Sequence, residues 1–134
     1  MAKEYGIRLA LENLNSTETN FINTAADALQ VVKDVNHPNF RLCVDIYHML
    51  MENEPPQIIE STRNYLVHCD IAERDGRPAP GVHGQDFVPY LKALNKVGYH
   101  KVIVLECRWK DTEAEVKEGR EELIRQLKVA YSSR

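Results

Sequence analysis

Short aliphatic runs alternate with segments whose apolar residues recur every three or four positions, and this alternation organises the whole chain. Ile7 to Leu11 is a strand-length run between Gly6 and the polar stretch Asn13 to Asn20. Phe21, Ile22, Ala25, Ala26, Leu29 and Val32 then share one helical face, with capping side chains offered by Thr17 to Asn20. Asn36, His37 and Pro38 stop that helix, and Phe40 to Val44 reads as a second strand. Met49 to Arg63 is less regular because Pro55 and Pro56 interrupt it, although Ile58 to Thr62 predicts a short helix with proline in its first turn. Asn64 to Ile71 is a third strand. The loop Ala72 to Gly84 follows, with three glycines and two prolines, and long loops in compact domains are often functional. Phe87, Tyr90, Leu91, Leu94 and Val97 form a helical face closed by Gly98. Lys101 to Leu105 reads as a fourth strand and Glu113 to Tyr131 as a long amphipathic helix.

Strand and helix therefore alternate four times. Parallel neighbours need a crossover, and a helix commonly supplies it, so the expected class is α/β with a parallel sheet. Four βα units are half of a (β/α)8 TIM barrel, which takes about 250 residues. The expectation is a single domain, residues 1–134, equal to half of such a barrel and too short to close one alone.

In these barrels the chemistry sits beyond the C-terminal ends of the strands. Here the first strand runs into Glu12, the second into Asp45 with His48 just after, the third through His68 and Asp70, and the fourth into Glu106. Side chains alternate along a strand, so if Leu9, Leu11, Ile103 and Leu105 face the helices, Glu12 and Glu106 face the other way. By the same parity Asp45 opposes Leu42 and Val44, and His68 and Asp70 oppose Val67, Cys69 and Ile71. Carboxylates with one imidazole suit a hard divalent ion such as Mg²⁺ or Mn²⁺. An ion that polarises a sugar carbonyl lets a nearby glutamate move the adjacent proton. Tyr47 and Trp109 flank the strand ends as sugar-stacking or packing aromatics. His37 and His100 lie in connecting segments and read as solvated, and His83 sits in the glycine-containing loop.

Composition narrows the partners. The chain has 134 residues, 43% hydrophobic and 28% charged, which is the balance of a globular domain and excludes a disordered one. A net charge of -3 with scattered lysines and arginines offers no nucleic-acid surface. No apolar run approaches the roughly 20 residues that cross a bilayer, and Met1-Ala2-Lys3-Glu4 is no secretory signal, so no membrane partner and a cytoplasmic location are expected. Cys43, Cys69 and Cys107 are odd in number and lie in apolar runs, which reads as reduced, buried thiols.

Leu9-Ala10-Leu11-Glu12-Asn13-Leu14-Asn15, Val44-Asp45-Ile46-Tyr47-His48, His68-Cys69-Asp70-Ile71-Ala72-Glu73, Pro80-Gly81 with Asp86-Phe87, and Gly98-Tyr99 before Val104-Leu105-Glu106 together resemble the xylose-isomerase-like barrel family of sugar phosphate isomerases and epimerases. The resemblance covers nearly the whole chain as the last four βα units. It implies a metal-dependent isomerase or epimerase acting through an enediolate on a sugar or sugar phosphate, with Mn²⁺, Mg²⁺ or Co²⁺ as cofactor and Zn²⁺ also admissible. Glu12 and Glu106 match the glutamates that bind the metal and act as acid and base. Asp45 matches the metal aspartate, His48 a substrate-binding histidine, and Glu18 a substrate or supporting glutamate. Arg74 or Arg77 matches the arginine that binds substrate hydroxyls. The family commonly carries His-x-His on its seventh strand; here one register makes Asp70 the metal ligand and another makes it His68. The family's first four strands have no counterpart in this chain, which implies either that two copies associate into a homo-oligomer or that an N-terminal half is missing. Two rivals stand beside this reading: a metal-dependent endonuclease or lyase of the same fold, and a non-catalytic half-barrel or carbohydrate-binding module.

Overall fold

β1 (Leu9–Glu12), β2 (Phe40–Asp45), β3 (Leu66–Ile71) and β4 (Ile103–Leu105) form one parallel sheet in chain order, seen in a computed structural model that describes residues 3–132. The connections are α1 (Ala25–Val35) after β1, then α2 (Ile46–Met51) with the 3-10 helix Pro56–Thr62 after β2, and α3 (Val88–Lys96) after β3; α4 (Thr112–Tyr131) follows β4. The class is α/β, as the alternation predicts.

Leu42 and Val44 of β2 and Cys69 and Ile71 of β3 pack with Leu29 and Val32 of α1, Ile59, Phe87, and Leu91 and Leu94 of α3. Leu42, Leu91 and Leu94 are fully buried, and each such side chain stabilises the layer by roughly 1.5–3 kcal/mol. One irregularity sets the opposite face. Leu42 pairs with Leu66 while the next residue, Cys43, pairs with His68, so Val67 is an extra residue on β3. A bulge of this kind reverses the alternation: Leu66 is buried in the core while His68, two residues on, lies opposite Cys43.

Several boundaries differ from the sequence expectation, including the starts of β1 at Leu9 rather than Ile7 and of β3 at Leu66 rather than Asn64. The helix predicted from Phe21 starts at Ala25, capped by the Thr24 hydroxyl, which accepts from the Asp27 N–H. The Glu54 carboxylate accepts two further N–H groups, of Ala25 and Ala26. Ile22 is in the left-handed region and Phe21 is 71% exposed, so their apparent helical spacing belongs to a loop. The residues before Thr24 are held elsewhere: the Asn23 amide donates to the carbonyls of Leu14 and Thr19. Helix α2 is short and directly abuts β2, where a strand-to-loop transition is expected. The fourth strand begins at Ile103 rather than Lys101.

The loop after β3 is built around a buried acid. Glu73, 1% exposed, accepts backbone N–H groups from Gly81, His83 and Gln85 at 2.7, 2.6 and 3.1 Å. Gly119, in the middle of α4, lets the helix pass close to that loop: a Cβ there would stand 2.8 Å from the Ala79 Cβ.

Glu73→Ala strands those donors and is expected to lower stability by about 3 kcal/mol, with Glu73→Gln intermediate, read from the denaturant midpoint. Gly119→Ala is expected to lower the melting temperature even though alanine is intrinsically the better helix former by about 1 kcal/mol. A rise in melting temperature would show that the loop yields without loss.

Candidate active site at the strand ends

Asp45, the last residue of β2, is fully buried and serves three neighbours at once. Its carboxylate caps α2 by accepting the Tyr47 N–H at 2.8 Å, accepts the Arg77 guanidinium at 3.0 Å, and lies 3.2 Å from His48 Nε2. Burial raises its pKa above the usual carboxylate range, against the opposing pull of Arg77 and the Tyr47 N–H.

His48, on α2, is also fully buried. Its Nδ1 accepts the Asn15 backbone N–H at 3.0 Å. Burial, followed by the Arg77 charge, lowers its pKa to about 4, so the ring is neutral at neutral pH. With Nδ1 accepting, the proton sits on Nε2. That N–H lies 3.2 Å from Asp45 and 3.7 Å from Glu12 without making a hydrogen bond. It is a spare donor beside the carboxylates, and Glu12, Asp45 and His48 each offer an atom within 4.8 Å of the others.

Glu12 ends β1, and Glu106 follows β4, where its N–H donates to the Ile71 carbonyl at 3.2 Å. The two glutamates stand at opposite edges of the sheet yet reach toward each other: Glu12, Asp70 and Glu106 each offer an oxygen within 4.8 Å of the others. Desolvation, then the charges of Glu106 and Asp70, raise the Glu12 pKa to about 7. The Arg77 charge opposes this rise without cancelling it.

His68 and Asp70 lie against each other. His68 Nε2 is 3.0 Å from Asp70 Oδ1, and the Cys43 thiol donates to Asp70 Oδ2 at 3.0 Å. Asp70 belongs to the group with Glu12 and Glu106, whereas His68 groups with Cys43 and Asp70. The cysteines are free. Cys69 lies in the apolar core, but Cys43 is on the opposite face, beneath the acids.

The loop after β3 delivers Arg77. Its guanidinium binds Asp45 and Glu106, approaches Glu18 at 3.6 Å and lies over the Tyr47 ring, 4.5 Å from the centroid. Its φ of 61° is in the left-handed region, which a side chain disfavours; the Arg108 N–H holds the Arg77 carbonyl at 2.7 Å. Arg74 does not reach the carboxylates. It donates to Asn53 Oδ1 at 3.0 Å and, with Glu18, Tyr47 and Arg108, borders an open cleft of about 560 Å³.

Sequence reasoning assigned no role to Asn13 and Asn15, both fully buried. Asn13 Oδ1 accepts the Asp45 N–H at 3.4 Å, and the Asn15 side chain donates to Glu18 at 3.1 Å. The available signal was two amides at alternate positions directly after a strand ending in an acid. Trp109 lines both the groove under α4 and a cleft that it shares with Asp75, Gly76 and Arg108.

Comparison with known proteins gives a consistent frame. Residues 1–127 match the model of the xylose isomerase-like TIM barrel. A ketose 3-epimerase of Arthrobacter globiformis is 35% identical over 106 residues, 78% of this chain and 36% of the relative. An L-ribulose 3-epimerase of a Methylomonas species is 33% identical over 106 residues, 78% and 37% of the two chains. Among solved structures, an L-ribulose 3-epimerase superposes with a TM-score of 0.83 at 26% identity, over 96% of this chain and 50% of that one. A 3-keto-D-glucoside 4-epimerase from E. coli gives 0.78 at 27% identity, over 93% and 47%. The chain thus spans about a third of these curated relatives and about half of these solved chains. It belongs to the xylose isomerase-like TIM barrel family.

Proposed function

We propose that this chain is a single domain of four βα units carrying the metal-binding, proton-transferring rim of a sugar epimerase or isomerase. The observation that carries the reading is the convergence of Glu12, Asp70 and Glu106 oxygens within 4.8 Å, beside the buried Asp45. The names of the ketose 3-epimerase and the L-ribulose 3-epimerase among its relatives support a ketose as substrate.

The residues present fit a hard divalent ion, Mg²⁺, Mn²⁺ or Co²⁺, because the donors are carboxylate oxygens and they outnumber the one cation among them, Arg77. Glu12, Asp45, Asp70 and Glu106 would hold it, with His68 orienting Asp70 through their 3.0 Å contact. An ion held there would supply electrophilic pull on the sugar's carbonyl oxygen. Glu12 then takes the proton from the adjacent carbon, leaving an enediolate of the sugar, and Glu106 returns a proton from the other side; their origins at opposite sheet edges suit the two faces. The spare His48 N–H, Glu18 and Arg77 bind substrate oxygens. Arg74 and Arg108 border the cleft beyond them, where a hydroxyl-rich or phosphorylated end of the sugar fits.

A binding module without turnover is the second reading. The guanidinium of Arg77 already rests on Asp45 and Glu106, and the chain spans only part of its relatives.

Solvent deuterium exchange into a panel of ketoses, with and without Mn²⁺, separates the two. Metal-dependent exchange is expected, falling by roughly a hundredfold or more in Glu12→Gln and in Glu106→Gln; exchange that persists in both variants would remove these roles. Sugar binding without any exchange supports the module. Calorimetric Mn²⁺ titration is expected to show Asp70→Asn weakened by roughly tenfold or more, and His68→Ala weakened less. The reverse order would make His68 the ligand.

A further inference from the structure

Among the described residues the sheet has two free edges, and each lacks what the other offers. On the β4 side, an apolar groove of about 720 Å³ runs beneath α4, walled by Ile103 and Leu105 of β4 and by Val116, Leu123, Leu127 and Tyr131. In right-handed βα units a helix lies over the gap between its own strand and the next one. Helix α4 therefore overhangs the place of a further strand. On the β1 side the deficiency is reversed. Leu11 packs on the helix-side core, and Leu9 and Ile7 share its parity, yet they are 53% and 52% exposed. Among the described residues no helix covers these helix-facing aliphatics.

We infer that β1 of a second copy of this chain fills the groove beside β4, so that two copies related by a two-fold axis close an eight-stranded barrel. Ile7 and Leu9 of each copy enter the space beneath α4 of the other, and the backbone groups at both free edges find partners. Eight parallel strands is the number that closes a (β/α) barrel, and this chain matches about half of the solved chains that it resembles. Because every copy offers both surfaces, two contacts close the ring and leave no edge for further growth. Closure also covers the acidic rim, whose Glu12 and Glu106 side chains are 34% and 52% exposed in one copy. The inference concerns assembly and stands or falls independently of proton transfer, since its readout is mass.

The test is light scattering and sedimentation of the 134-residue chain at micromolar concentration. A species of twice the chain mass is expected. Leu9→Lys and Val116→Lys change residues that are 53% and 38% exposed within one copy, so each is expected to keep the far-ultraviolet circular dichroism and to give a monomer. Mixing the two variants restores one intact contact of the two, so partial recovery of dimer is expected. A cooperatively folded wild-type monomer would overturn the inference, and would reserve these surfaces for a different set of βα units. So would an open series of larger oligomers, a dimer that survives both substitutions, or one that responds to Leu9→Lys alone, which would indicate pairing of like edges.

Discussion

A buried carboxylate needs donors, and Asp45 draws them from segments that are distant in the chain. The Tyr47 N–H begins α2, Arg77 comes from the loop after β3, and His48 lies alongside after one turn of helix. Asn13, just past β1, meets the Asp45 backbone N–H. Because Asp45 is fully buried, an unmet charge there would be strongly unfavourable, so the paths of these segments are tied to one point. The short helix α2, the inward turn after β1 and the arrival of Arg77 all follow from that constraint.

Glu73 plays the corresponding part for the loop. Its carboxylate gathers three backbone N–H groups, and the loop then carries Arg77 back over Tyr47 to the acids. Two buried acids thus divide the work: Glu73 shapes the loop and Asp45 receives what the loop delivers. The neutral His48, accepting at Nδ1 from Asn15 and presenting Nε2–H to the rim, completes a set of donors directed at one place. Carboxylates from all four strand ends and donors from the intervening loops meet at one end of the sheet because the strands are all parallel.

The same order explains why the molecule has two unlike sides. In a parallel sheet with helices on one face, one edge strand keeps helix-facing aliphatics uncovered, as Leu9 does, and the last helix overhangs an unfilled groove, as α4 does. Such edges are surfaces that other strands seek. The apolar groove under α4 has none of the rim carboxylates in its lining, which belongs to the question of assembly.

The sequence by itself determined the α/β class, the order of the four βα units and the acids at the strand ends, because aliphatic period and the residue that ends each run are local properties. It misled over Phe21 and Ile22, whose spacing mimics a helix, because the contacts of Asn23 and the Thr24 cap that begin α1 at Ala25 are not properties of that periodicity. Only the tertiary structure separated Arg77, on Asp45 and Glu106, from Arg74, on Asn53, and set His68 against an Asp70 that reaches Glu12 and Glu106. Those pairs are nearly equivalent in sequence, and the difference between them is which oxygen or guanidinium arrives at the rim from across the sheet. The proton on His48 Nε2 was likewise decided by a backbone N–H 33 residues away in the chain. Distances between elements are set by packing, and a linear pattern carries them only where alternation and chain order leave a single solution.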